Sequence, residues 1–323
     1  MCLIALPFAE PVQDRLQKVE IRMRSQADGY HPNLAAALNH LLSSGGKRIR
    51  AVFTLLIGGM LKADPDRLVT LAAAIETLHT ATLVHDDLID GALVRRGIPT
   101  LNAQWSPAAT VLTGDFVFAR AARLASETES TKAMYRFSDT LATIVNGEVT
   151  QLFSSRGVAS RENYYHRIYA KTASLFEAAA STAAILSPVE DDQVQEMARF
   201  GYEIGMAFQM VDDILDFTGQ QATIGKPVAG DLRQGLITLP ALYYIEHKPD
   251  DPDMQMILNS SFCDEPCLSR LLDSIRQSGA IEHAQLEAGQ SIQRALDILA
   301  QKPACREREA LEDLANYIVR RDI

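Results

Sequence analysis

Two short acidic stretches, Asp86-Asp87-Leu88-Ile89-Asp90 and Asp212-Asp213-Ile214-Leu215-Asp216, each follow a long apolar run of helical period. On a helix, positions four apart share a face about one turn from each other, so Asp86 stacks with Asp90 and Asp212 with Asp216. Like charges placed this way repel unless a cation sits between them, and carboxylate oxygens suit a divalent metal. With 23 Asp in 323 residues, one such three-Asp pattern should arise by chance about 0.1 times per chain. Two copies favour a shared task over a solvated acidic face. A helix C-terminus carries partial negative charge, which adds to the attraction for a cation.

A chain of 323 residues that is 47% hydrophobic has enough apolar surface for a large core. No Pro/Gly/Ser-rich linker interrupts it, which predicts one domain over residues 1–323. The net charge of -10 argues against nucleic acid or an anionic membrane as partner. It leaves a phosphorylated substrate open, because a local basic cluster or a bound metal reverses the field inside a pocket. Cys263 and Cys267 lack the second ligand pair of a zinc site, so all four cysteines, with Cys2 and Cys305, read as ordinary reduced thiols. The first residues carry no basic leader, and the apolar run nearest to a span, Leu68 to Val84, holds Glu76 and His79. These features predict a cytoplasmic protein without a transmembrane segment.

Helix starts repeat one chemistry, an oxygen-bearing cap followed by Pro: Asp64-Pro65, Ser106-Pro107, Ser187-Pro188 and Asp251-Pro252. Ser187 with Glu190 reads as a capping box. Helical periodicity places helices at 9–25, 32–44, 47–61, 65–91, 107–126, 130–153, 161–186, 188–217, 236–247, 265–278, 280–301 and 304–320, with no run alternating long enough for a sheet. The fold class is all-α, a helical bundle, with both acidic stretches at helix C-termini.

Cations trail the acids. Gly45-Gly46-Lys47-Arg48-Ile49-Arg50 lies where a loop enters a helix, with Gly allowing close backbone approach and free N–H groups facing an anion. Arg95-Arg96-Gly97 follows the first acidic stretch, and Lys226 and Arg233 follow the second in a Gly-rich loop. That order suits a site holding metal and phosphate together.

Taken together, these residues resemble the trans-type polyprenyl diphosphate synthases over almost the whole chain. The resemblance runs through Gly45-Gly46-Lys47 with Arg50, the first acidic motif with Arg95-Arg96-Gly97, Gly147-Glu148 with Gln151, and Lys171-Thr172. It continues through Gln209 and the second acidic motif to Gly225-Lys226-Pro227, Gly230-Asp231-Leu232 and Thr238-Leu239-Pro240. It implies an isoprenoid-synthase bundle around a deep central cavity, which condenses isopentenyl diphosphate with an allylic diphosphate primer, and commonly a homodimer. It assigns two Mg2+ to Asp86 and Asp90 and a third to Asp212, with Asp87, Asp213 and Asp216 in support and Mn2+ as an alternative ion. Arg95, Lys171 and Lys226 would hold the allylic diphosphate, and Gly46, Lys47, Arg50, His79 and Arg96 that of isopentenyl diphosphate. His79 stands where many members have Gln. Thr172 and Gln209 offer oxygens to the carbocation, and the released pyrophosphate removes the proton, so no protein base is nominated.

By the same resemblance the product grows beside the helix that ends in the first acidic motif. Ala81 and Thr82, where short-chain members carry aromatics, and Leu78 one turn further leave that path open and predict a long-chain all-trans product over the twenty-carbon geranylgeranyl one. A wall from Phe116, Phe118 or Phe153 would reverse this. Three rivals are less favoured. A terpene cyclase would have a Ser or Thr and a Glu in its second motif, a silent partner subunit would show eroded motifs, and a Ca2+-binding helical protein would not need Lys47, Arg50, Arg95, Arg96 and Lys226. Glu76-x-x-His79 has the spacing of a di-iron ligand pair but lacks a second copy. His85 reads as packed, and Trp105 as a loop anchor.

Overall fold

The structure is a computed structural model that describes residues 6–43, 45–153, 159–218, 228–259 and 263–321. Among the described residues it is all-α, as predicted, apart from one hairpin of two two-residue strands. Two compact units emerge, Met1–Thr140 with Glu177–Ala198 and Lys302–Asp313, and Leu141–Phe176 with Arg199–Gln301 and Leu314–Ile323.

The first unit holds α1 (Gln13–Arg24), α2 (Pro32–Ser43), α3 (Ile49–Met60), α4 (Pro65–Ile89), α5 (Leu101–Gln104) and α6 (Pro107–Ser126). Helix α4 is apolar on every side and is buried almost continuously from Leu68 to Ala81, so it forms the axis on which α1, α3 and α6 pack. Its start follows the predicted chemistry: Asp64 accepts from the N–H groups of Asp66 and Arg67, and Pro65 opens the first turn. The length and composition of α4 suffice to cross a membrane, contrary to the expectation that no stretch would. Yet 78% of its most apolar window is buried inside the protein, as in a core helix. In α3, which packs on it, Phe53, Leu55, Leu56 and Ile57 are fully buried, each contributing up to about 1.5–3 kcal/mol. Gly58 meets Leu68 and Gly114 meets His85 so closely that a Cβ at either glycine would collide. Trp105 packs with Leu41 against Ala37, Val84 and Leu101, the anchor role expected of it.

After α4, β1 (Val94–Arg95) and β2 (Ile98–Pro99) pair antiparallel, Val94 with Pro99 and Arg95 with Ile98. The connecting residues Arg96 (φ 53°) and Gly97 (φ 76°) are both left-handed, as a tight two-residue hairpin requires. Periodicity could not signal strands this short, and Arg is an unusual residue at the first turn position.

The second unit takes in α8 (Arg161–Ile168), α11 (Gly230–Arg233), α12 (Leu239–His247), α13 (Pro252–Leu258), α14 (Glu265–Gln277) and α15 (Ala280–Ala300). Helices α7 (Thr131–Phe153), α9 (Ser174–Ile185), α10 (Asp191–Thr218) and α16 (Arg306–Arg320) contribute residues to both units. Three predictions need correction here. The helix expected over 161–186 is broken at Tyr169–Ala173 by a π turn, a widening that intrinsic propensity does not signal. The Ser187–Glu190 box does not form, because the Ser187 hydroxyl donates back to Ala183 O and α10 begins at Asp191. Cys263 and Cys267 are joined by a disulfide rather than free; Cys305 is a free thiol.

Candidate active site

In the first unit the basic loop is built around a residue that the motif reading passed over. Arg48 caps α3 from a left-handed conformation (φ 48°) and is buried, donating to Glu20 Oε1 (2.5 Å) and Leu42 O (3.0 Å) with Glu76 Oε1 at 3.9 Å. Glu76, itself buried, accepts from the N–H of Ala51 (3.1 Å), satisfying an orphan donor in the first turn of α3. This scaffold fixes the turn from which Lys47 and Arg50 emerge, and it accounts for Glu76 without iron. Arg96 donates to Gly45 O (2.6 Å), and a Cβ on Gly46 would lie 2.7 Å from its Nη1, so Gly is needed where the hairpin meets the loop.

Arg50 lies 3.2 Å from Nε2 of His79. Guanidinium only donates, so Nε2 accepts and the imidazole is neutral with its proton on Nδ1. Burial, with the charges of Arg50, Arg96, Arg95 and Arg48, holds the His79 pKa well below its ordinary value. Burial and the charges of Arg48 and Arg95 also push the Arg96 guanidinium down. The positive charge of four guanidiniums reaches this one neutral imidazole, two of them paired with carboxylates (Arg48 with Glu20, Arg95 with Asp87), and such a surrounding favours an anion. Beside it, Arg95 binds Asp87 Oδ1 through Nε and Nη2, both at 2.8 Å, so Asp87 faces a protein partner. Asp86 is half-buried, and exposed Asp90 caps the helix end. His85, packed as expected, lies 3.2 Å from Val111 O, with its ring centre 5.2 Å from that of Phe118 and the two planes tilted by 47°. Leu78 and Ala81 are fully buried, while half-buried Thr82 donates back to His79 O. Phe116 packs edge-on against Tyr30, and Phe153 is exposed.

In the second unit a directed chain of hydrogen bonds leads to the other acidic motif. Thr172, in the π turn, donates to Gln209 Oε1 (2.6 Å), and Gln209 Nε2 donates to Asp213 Oδ1 (2.8 Å). Tyr164 donates to the other Asp213 oxygen at 2.8 Å. Asp213 is buried, and burial with the nearby Asp231 charge raises its pKa to about 7 despite those two donors. Both oxygens of Asp216 accept N–H groups at the start of α11, from Gly230 (3.1 Å) and Asp231 (3.2 Å). Asp212 accepts from Arg321 at 2.8 Å, and Lys171 lies 3.7 Å from Glu148. Lys226 falls outside the described residues. Tyr164 and Arg321 carried no motif signal, and Arg48 and Glu76 were given no such role from their motifs, since each matters through a contact distant in sequence.

Among the described residues, no three acidic, His or Cys side chains already converge on a metal position. The donor set still fits a hard divalent ion. Asp87, Asp213 and Asp216 are engaged by protein donors, Asp86 and Asp90 are carboxylates at the C-terminal end of α4, where the backbone also favours a cation, and Asp212, which Arg321 holds, lies nearly two turns before the end of α10.

The sequence profile of the Polyprenyl synthetase family matches residues 31–275. The heptaprenyl diphosphate synthase component 2 of Geobacillus stearothermophilus is 35% identical over 312 residues, covering 96% of this chain and 97% of that one. The octaprenyl diphosphate synthase of Escherichia coli is 36% identical over 285 residues, covering 88% of each. Among solved structures, the polyprenyl synthase from Caulobacter crescentus CB15, complexed with calcium and isoprenyl diphosphate, superposes with a TM-score of 0.90 at 34% identity. That match covers 98% of this chain and 97% of that one.

Proposed function

The chain belongs to the polyprenyl synthetase family, whose members are divalent-metal-dependent prenyltransferases, and on that premise we propose that it extends an allylic diphosphate with isopentenyl diphosphate to a long-chain all-trans product. The observation that carries this reading is the cluster of cations about neutral His79, with Arg50 in contact with it and Arg48, Arg95 and Arg96 near enough to lower its pKa, on the helix that ends in Asp86 and Asp90. In it, Arg50, Lys47, Arg96 and the Gly46 backbone hold the diphosphate of isopentenyl diphosphate. His79 accepts from Arg50 and so orients that guanidinium, leaving Nδ1–H as a donor. Arg95, Lys171 and Lys226 hold the allylic diphosphate.

Asp86 and Asp90 would hold two Mg2+ and Asp212 a third, and the bound ions would supply Lewis acidity toward the leaving diphosphate. The fixed guanidiniums favour the charge that builds on the leaving group, because they are already oriented before it departs. Thr172 donates its hydrogen bond to Gln209, so the lone pairs of its hydroxyl oxygen are left to face an allylic cation. Tyr164 and the Gln209 amide hold Asp213 in place.

The long product is favoured by two relatives that are named as heptaprenyl and octaprenyl synthases, and by small side chains at Ala81 and Thr82. Residues 1–323 act as one synthase domain. The exposed stripe Val145, Val149 and Leu152 on α7 suits a second copy of this chain. A relative named as component 2 favours a second reading, in which a different subunit completes the enzyme. Incubating the purified chain alone with Mg2+, isopentenyl diphosphate and primers of increasing length, then weighing the products, separates these readings. Long linear diphosphates support the homomeric enzyme, whereas products that appear only on adding a second subunit support the heteromer.

A further inference from the structure

The disulfide between Cys263 and Cys267, whose Cα atoms are 5.6 Å apart, closes a five-residue ring at the start of α14. Within the ring, Asp264 accepts from the N–H of Cys267 (2.9 Å). Glu265 reaches out of it, accepting from both terminal nitrogens of Arg233 at 2.5 and 2.7 Å. Arg233 also donates through Nε to Val228 O (3.1 Å) and ends α11, the turn whose first two N–H groups hold Asp216. A covalent ring is thus joined by one two-pronged ion pair to the backbone that aims a carboxylate of the second acidic motif.

An exposed ion pair contributes little when its side chains must first be ordered, and more when its geometry is preset. The ring presets Glu265. Opening it returns conformational freedom to the segment that carries this carboxylate and weakens its hold on Arg233. Cys263 is half-buried while Cys267 is only 3% exposed, so exchange starts at the Cys263 sulfur.

We propose that Cys263–Cys267 is a thiol–disulfide exchange site, reduced by a dithiol, whose redox state sets how firmly α11 holds Asp216. One thiolate of the reductant attacks Cys263 Sγ, breaking the S–S bond and releasing Cys267 as a thiolate that takes up a proton. The second reductant thiolate then displaces Cys263, which is protonated in turn, and the reductant leaves as its own disulfide. Two electrons and two protons pass to the protein.

Only the catalytic consequence rests on the proposed function; the exchange site is read from amide exchange. The whole chain is compared air-oxidised and after dithiothreitol, with the cross-link scored by alkylation and intact mass. Amide hydrogen exchange over residues 228–235 is expected to be about two- to fivefold faster in the reduced protein, the range an exposed ion pair spans. Cys263→Ser should exchange at the reduced rate with no response to dithiothreitol, and Glu265→Gln should reproduce that rate with the disulfide intact. Equal exchange in both redox states, a persisting response in Cys263→Ser, an unaltered rate in Glu265→Gln, or no cross-link after air oxidation overturns the proposal. The Mg2+ concentration for half-maximal activity should rise on reduction by the same factor. Faster exchange with unaltered Mg2+ dependence supports the exchange site and counts against the role given to Asp216.

Discussion

The guanidinium of Arg321 donates to Asp212 Oδ1 at 2.8 Å and to Phe208 O at 3.1 Å, while its plane lies 4.0 Å from the centre of the Phe208 ring. The residue that follows α16 therefore clasps the first Asp of the second acidic motif. A cation here aligns the carboxylate yet competes with a metal for it. Arg321→Gln is expected to lower the Mg2+ concentration for half-maximal activity about two- to fivefold, as an ion pair of this exposure would allow. It should cost about 1 kcal/mol of stability, since Asp212 is partly solvated. A Mg2+ titration of initial rate checks the first, and denaturant unfolding of the metal-free protein the second.

His79 governs a pH effect whose sign follows from its lowered pKa. The unfolded imidazole takes up a proton as the pH falls through its ordinary value of 6.5 while the folded one resists. Stability is therefore fully present above pH 6.5 and is lost as the pH falls toward the folded pKa. In His79→Gln this acid-side loss should shrink, which thermal melts of both proteins between neutral and mildly acidic pH would reveal. The variant should keep its activity within a few-fold, because the Gln carbonyl can still accept from Arg50.

Gln209 joins Thr172 to Asp213. In Gln209→Leu, a near-isosteric change, the buried Asp213 keeps only the Tyr164 donor, and the expected cost is about 1–3 kcal/mol. Tyr164→Phe removes the other donor. The two losses should not add independently, because both variants act on one carboxylate; a double-mutant cycle by urea unfolding measures the coupling.

Ala81 is fully buried on the helix proposed to flank the growing chain. Ala81→Phe should shorten the product by several prenyl units and cost about 1–3 kcal/mol from overpacking. Mass analysis of the products checks the first effect. Unaltered chain length in a folded variant would remove this helix from chain-length control.

Local pattern alone determined the all-α class, the Pro-led starts at Asp64, Ser106 and Asp251, and the residues of the acidic and basic motifs, because each is written within one or two helical turns. What partner each motif residue meets was decided only by tertiary structure. Arg48 and Glu76 are 28 positions apart, yet share the scaffold of the basic loop. Tyr164 secures Asp213 from 49 positions away, and Glu265 reaches Arg233 from 32. The hairpin at 94–99, the π turn at Lys171-Thr172 and the Cys263–Cys267 bridge were likewise invisible. Periodicity reports which side of an element faces the core. Hydrogen-bond and ion-pair partners depend on how folded segments approach one another, and so does the protonation of a buried His79 or Asp213, since burial and neighbouring charge set it.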